Sequence, residues 1–269
     1  MSFALTHFIG KLPEVIGILD SGVGGLSVMR EIRAQLPEQP LTYIGDTAWC
    51  PYGNKDFSEI RDRTFILTDS LIEAGAEVIV VACNSATIVA IEALRSQYPI
   101  PFVGMEPGVK PAASLTKTGT IGVLATEASL AGEKFHRLVA THARDLRVIT
   151  QPCPKFVELV ERGILTGAEV EEAIDEYTSA ILKADADVFI LGCSHYPFLR
   201  PTLEASLPDH IQFIDTGSAI ARRVKQQPLS SPTHNKVKVL TTGNPEQFSQ
   251  LCEILIPEFQ IKCQALKLP

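Results

Sequence analysis

Two cysteines close matching apolar runs, Val78-Ile79-Val80-Val81-Ala82-Cys83-Asn84-Ser85 and Val188-Phe189-Ile190-Leu191-Gly192-Cys193-Ser194-His195. An ionised thiol is a base, and a protonated one is an acid. Two thiols that approach one small molecule from opposite sides supply what stereoinversion by proton transfer requires. Each run is rich in β-branched residues and ends in a small polar cluster, the pattern of a buried parallel strand whose carboxyl end opens into a loop. Both thiols are therefore expected on the ligand edge of a sheet. They are also expected at a helix start, where partial positive charge favours thiolate. Asn84, Ser85 and Ser194 add hydrogen-bonding side chains, and His195 stands where it can tune Cys193 or protonate near it. A buried inert thiol is the other reading of each cysteine, and a structural donor that of His195.

Three further segments carry polar groups. Gly17-Ile18-Leu19-Asp20-Ser21-Gly22-Val23-Gly24-Gly25 reads as a strand, a glycine turn and a helix start, in which backbone N–H groups can approach an anion closely. No Gly-Lys-Ser/Thr follows, so it is not a nucleotide loop, and it lacks the dinucleotide fingerprint. Asp20 there can accept a proton or orient a cationic group. Asp46-Thr47-Ala48-Trp49-Cys50-Pro51-Tyr52-Gly53-Asn54 is a turn from which the Tyr52 hydroxyl and the Gly53 amide can donate to a ligand, with Cys50 given no role. Glu161 lies on a short predicted helix and reads by itself as a solvated carboxylate.

These groups need a frame. At 269 residues the chain is long enough for two domains of common size. Apolar strands are predicted at 15–19, 41–44, 78–82, 102–105 and 121–125, then at 147–150, 188–192, 212–214, 236–240 and 260–266. Helical spacing covers 57–74, 130–141, 167–183 and 216–226. Alternation of this kind predicts an α/β fold with mainly parallel sheets. Ile16-Gly17-Ile18-Leu19-Asp20-Ser21 resembles Ile121-Gly122-Val123-Leu124-Ala125-Thr126, and the cysteine strands match at nearly the same offset. Two similar α/β domains follow, one made of residues 1–101 with 216–269 and the other of 102–215, with the active site in the cleft between them.

The net charge of −7 argues against nucleic acid as a partner, and an anionic ligand must be held by local dipoles. No apolar run approaches the roughly 18 residues of a membrane span. The N-terminus shows no basic segment followed by an apolar one, so a cytoplasmic protein is expected, its six cysteines reduced. No metal site is expected, because Cys193 and His195 would need two more ligands from afar.

Four of these strings, Asp20-Ser21-Gly22-Val23-Gly24-Gly25, Pro51-Tyr52-Gly53, Ala82-Cys83-Asn84-Ser85-Ala86-Thr87 and Gly192-Cys193-Ser194-His195-Tyr196-Pro197, resemble in order the signatures of the glutamate racemases. Ser85 and Ser194 stand where that family usually has threonine. The resemblance implies cofactor-independent interconversion of L- and D-glutamate, supplying D-glutamate for peptidoglycan. It assigns acid and base to Cys83 and Cys193. It implies auxiliary roles for Asp20 beside the first thiol and for Glu161 and His195 beside the second, Glu161 through the string Cys153-Pro154-Lys155-Phe156-Val157-Glu158-Leu159-Val160-Glu161. Substrate contacts are implied for Asp20, Ser21, Tyr52, Gly53, Asn84, Ser85, Ser194 and His195. A homodimer and activation by a cell-wall precursor stay open. The competing readings are a racemase of the same wider family acting on aspartate or a hydantoin, a cysteine hydrolase on Cys193 and His195, and a glutamate-binding protein. A pyridoxal enzyme is disfavoured, since no lysine sits in a matching strand-end motif.

Overall fold

The apolar runs become parallel strands covered on both faces. In a computed structural model, which describes residues 15–268, the first half runs β1 (Val15–Asp20), α1 (Leu26–Gln35), β2 (Leu41–Gly45), α2 (Phe57–Glu73), β3 (Ala76–Val81), α3 (Asn84–Gln97) and β4 (Phe102–Gly104). The second half follows with α4 (Val109–Leu115), β5 (Thr120–Ala125), α5 (Glu127–Ala131), α6 (Glu133–His142), β6 (Arg147–Pro152), α7 (Pro154–Glu161), α8 (Ala168–Lys183), β7 (Val188–Gly192), α9 (Arg200–Ser206) and β8 (Gln212–Ile214). The chain then returns through α10 (Gly217–Lys225), β9 (Val237–Thr241), α11 (Pro245–Leu255) and β10 (Gln264–Ala265).

Two parallel sheets result, ordered β10-β9-β2-β1-β3-β4 and β6-β5-β7-β8. The order β2-β1-β3-β4 repeats as β6-β5-β7-β8, so the weak sequence repeat corresponds to a repeat of topology. In both halves the cysteine follows the strand beside the central one. Strand β4 pairs with β3, so the first sheet takes in 102–104, which the sequence reading gave to the second half. The crossover comes after Gly104, at Glu106-Pro107-Gly108. Two other expectations change. The helix expected over 130–141 is broken at Gly132, which is extended and whose Cβ position lies 2.5 Å from Ile88. The strand expected over 260–266 shortens to Gln264–Ala265.

Successive strand residues point to opposite faces. Ile79 and Val81 pack with Leu67 and Leu71 of α2 and Ile91 of α3, while Val78 and Val80 join a second cluster. That cluster also contains Phe156, Leu191 and Tyr196 from the other half, so apolar packing runs continuously from one sheet to the other. Val123 and Ile190 pack with Val109 and Phe135 on the far side of the second sheet. Among the described residues no helix is long and apolar enough to cross a membrane.

Candidate active site

The carboxyl ends of β1, β3, β5 and β7 meet around a cavity of about 120 Å3 whose wall includes Cys83 and Cys193. Ser21, Tyr52, Gly53, Asn84, Ser85, Ser194 and His195 line it too. Among the described residues no lysine or arginine does. Asn84 is 4% exposed and its Oδ1 has no hydrogen-bond partner. A buried acceptor left open on a cavity wall is costly unless a ligand donates to it.

Cys83 leaves β3 in extended conformation and caps α3, with Ala82 N–H held by Leu19 O at 2.9 Å. The thiol lies 3.7 Å from Ser21 Oγ. Burial and the charge of Asp20 push it up to about 12, against the pull of the Ala86 amide. This corrects the expectation of a lowered value: for a buried thiol, desolvation of the thiolate outweighs one helix terminus. Cys193 differs from its counterpart, since a 3-10 turn (Tyr196–Leu199) rather than an α-helix follows it. Its sulfur lies 3.6 Å from His195 Nδ1.

Glu161 reaches His195 because α7 is docked and stopped with care. Pro154 fits the first helical position, where no backbone donor is needed. Phe156 stands edge-on to Tyr177 and Tyr196 at centroid separations of 5.1 and 5.4 Å, contacts worth about 0.5–1.5 kcal/mol each. Gly163, at φ 72°, ends the helix, with its N–H on Val160 O and that of Ile164 on Leu159 O. This paired cap leaves Glu161 as the last helical residue. Its Oε1 accepts from Val23 N–H at 2.8 Å and from Cys50 Sγ at 3.3 Å, and lies 2.6 Å from His195 Nε2. Burial alone would raise the Glu161 carboxyl, but His195 and these donors hold it below its usual range. Burial likewise opposes charge on His195, yet Cys193, Cys50 and Glu161 hold its imidazole well above the ordinary value.

The sign of the linkage gives a test. His195 is raised, so its share of stability is complete below about pH 6.5 and fades as pH rises through the raised value. Glu161 is lowered, so its share is complete above about pH 4.5 and is lost as pH falls through the lowered value. Glu161→Gln should therefore lower stability by about 2 kcal/mol between those limits, with the gap to the parent closing in acid. Urea unfolding at stepped pH measures this, and a gap that persists unchanged in acid would contradict it.

Asp20 is fully buried, with Oδ1 accepting from Gly22 N–H at 2.9 Å and Oδ2 from Ser194 Oγ at 3.0 Å. Burial pushes its carboxyl above the usual range despite the charge of His195 and these bonds. Asp20 does not line the cavity. It sits behind Ser194, and its charge adds to the rise of the Cys83 thiol.

The glycine turn also differs from expectation. A Cβ on Gly22 would fall 1.8 Å from Glu161 Oε1, and one on Gly24 2.3 Å from His195 Nδ1. The anion received by its backbone is thus the Glu161 carboxylate. Ser27 Oγ donates to Ser194 O at 2.8 Å, completing the link between the halves.

Tyr52 is buried and its hydroxyl donates to Asp46 Oδ2 at 2.5 Å. Asp46 also takes a forked pair from Arg63, at 2.9 and 2.6 Å, and a bond from Thr242 at 2.7 Å. The ring of Tyr52 forms the cavity wall while its hydroxyl is engaged elsewhere, which corrects its expected role as a donor to the ligand. Tyr52→Phe should cost about 1 kcal/mol of stability and change KM for the substrate by less than about threefold. A tenfold rise in KM, equal to about 1.4 kcal/mol of binding, would show that the hydroxyl reaches substrate.

Sequence reasoning missed Thr126 and Cys50. Thr126 lines the cavity, caps α5 and lies 3.1 Å from Ser85 Oγ. It follows β5 as Ser21 follows β1, so the repeat carried its signal. Cys50 bonds to Glu161, and nothing in its turn pointed there.

A sequence profile described as Asp/Glu/Hydantoin racemase matches residues 16–224. The chain is 44% identical over 248 residues to a glutamate racemase of Herpetosiphon aurantiacus, covering 90% of this chain and 98% of that one. It is 43% identical over 246 residues to the glutamate racemase of Pseudomonas aeruginosa PAO1, covering 89% and 93%. Among solved structures it is similar to glutamate racemase RacE1 of Bacillus anthracis, with TM-score 0.86, 31% identity and coverage of 95% and 98%. Escherichia coli glutamate racemase, solved with L-glutamate and the activator UDP-MurNAc-ala, gives TM-score 0.86 and 30% identity, covering 95% and 99%. With its repeated parallel sheets and a cysteine from each half on one cavity, the chain belongs to the Asp/Glu/hydantoin racemase family of isomerases, among its glutamate racemases.

Proposed function

We propose that the protein interconverts L- and D-glutamate by two-base proton transfer without a cofactor, and that its D-glutamate serves peptidoglycan synthesis in the cytoplasm. The observation that carries this reading is that Cys83 and Cys193, placed equivalently in the two halves, both line one small cavity. One cysteine, as thiolate, takes the α-proton, and the other, as thiol, returns a proton to the opposite face. After each turnover their states are exchanged. His195, 3.6 Å from Cys193, takes or returns that sulfur's proton, and Glu161 holds the imidazole. Asp20 acts behind Ser194 by keeping charge off Cys83 until substrate arrives.

The α-carbanion is stabilised mainly by its own carboxylate, so oriented donors must meet the charge as it develops there. Ser21, Gly53, Asn84, Ser85, Thr126 and Ser194 supply hydroxyls and amides on the wall. The open Asn84 Oδ1 suits the substrate ammonium. Among the described residues no lysine lines the cavity to carry a pyridoxal Schiff base.

Proton NMR of the purified protein with L-glutamate in deuterated water tests the reading. Loss of the α-proton signal together with formation of the D-isomer is expected. Folded, reduced protein that exchanges no α-proton would overturn it, and exchange with aspartate instead would move the substrate within the family.

A further inference from the structure

At the Nε2 end of His195, opposite the Nδ1 that faces Cys193, lies a second set of reactive atoms. Among the described residues, Cys50, Glu161 and His195 are the group of three metal-ligating side chains that converges, with one ligand atom from each lying within 4.8 Å of the others. Neither Cys50 nor Glu161 lines the substrate cavity. The proton transfers described above make no use of the Cys50 thiol.

Thiolate, carboxylate and imidazole are the donors that zinc prefers. A tetrahedral zinc ion, about 2.3 Å from sulfur and 2.0–2.2 Å from nitrogen or oxygen, sets its ligand atoms roughly 3.3–3.7 Å apart. Cys50 Sγ and Glu161 Oε1 already stand 3.3 Å apart. Nε2 and Oε1, at 2.6 Å, must open by roughly 1 Å to admit the ion. One thiolate and one carboxylate neutralise a divalent cation, so the loaded cluster carries no net charge into a largely buried place. The Glu161 side chain is 20% exposed and Cys50 is partly exposed, which leaves a route from solvent and room for water as the fourth ligand.

We propose that Cys50 Sγ, Glu161 Oε1 and His195 Nε2 bind one thiophilic divalent cation of the Zn2+ or Cd2+ class, and that the loaded site inhibits the enzyme. Binding releases the thiol proton of Cys50 and the Nε2 proton of His195 to solvent, with no change of oxidation state. The coordinated imidazole keeps its proton on Nδ1 and can no longer accept one from Cys193. Because the ion does not occupy the cavity, inhibition lowers kcat and leaves KM for glutamate nearly unchanged. The inhibition rests on the racemase reading, whereas the binding is measured without it.

The probe is Zn2+ alone, and the protein is the full chain carrying Cys83→Ser and Cys193→Ser, which removes the rival pair of thiols. Equilibrium dialysis should find one ion per chain, and X-ray absorption one sulfur with nitrogen and oxygen neighbours. Adding Cys50→Ser should weaken binding by at least about tenfold, since even outer-shell partners of a metal are worth that much. Glu161→Gln, in the same background, should weaken it as well, and circular dichroism checks that each variant is folded. In the parent enzyme Zn2+ should inhibit independently of glutamate concentration. Lack of stoichiometric binding, binding unaffected by Cys50→Ser, or inhibition relieved by glutamate with two sulfur ligands would each overturn the proposal. If glutamate exchanges no proton, the dialysis and absorption results still decide the site.

Discussion

Cys83→Ser and Cys193→Ser should each lower kcat for glutamate racemisation by about 10^4-fold, the upper end of what a positioned acid or base contributes. Serine keeps the shape and a hydrogen-bonding atom but is neither ionised as a base nor acidic enough as a donor. The loss should be the same in both directions for both variants, as the proposed alternation of each sulfur between acid and base requires. Substrate binding should change little. Both sulfurs stand on the wall beside Ser21, Asn84, Ser85 and Ser194, whose amide and hydroxyls are untouched by either substitution and remain available to hydrogen-bond substrate. Following optical rotation from each enantiomer, with binding measured by calorimetry, separates these effects. Near-normal turnover by either variant would sink the two-thiol mechanism.

Gly24→Ala is the second large effect expected. The added methyl would fall 2.3 Å from His195 Nδ1 and 2.5 Å from Ser194 Oγ. Neither can yield freely, because both are 2% exposed. His195 is tied to Glu161 through Nε2 and Ser194 to Asp20 through Oγ. Moving the imidazole by roughly 1 Å away from Cys193 should cost about 10^2-fold in kcat, and the overpacking about 1–3 kcal/mol of stability. Gly22→Ala presses on Glu161 in the same way and should be no milder. Steady-state kinetics on folded variants measures this. A folded Gly24→Ala enzyme with parental kcat would mean that the His195 position does not matter to the reaction.

The two predictions draw on different kinds of information. The cysteines were legible as a pair because each ends an apolar run with strand character, and a buried parallel strand must end where its backbone can leave the sheet. The same local signal located β1 through β9 within a few residues. It failed at β10, where only Gln264 and Ala265 pair with β9 and both are exposed. The signal also misplaced 102–104. A short apolar run shows that it is buried, but not in which sheet.

The sequence by itself determined the parallel α/β architecture, the repeat and the two thiols at strand ends, since periodicity and strand termini are local properties of the chain. Tertiary structure alone decided what converges on those thiols. Val23 and Glu161 are 138 positions apart and meet only because α7 docks against the turn after β1. That docking turns the glycine loop from a ligand cradle into a seat for Glu161 and His195. It also draws in Cys50, while the meeting of the ends of β1 and β7 places Asp20 behind Ser194. The Asp46 network, equally non-local, takes the Tyr52 hydroxyl away from the cavity. Burial then raises the Cys83 thiol, because the desolvation of a charge depends on everything packed around it and not on its neighbours in sequence.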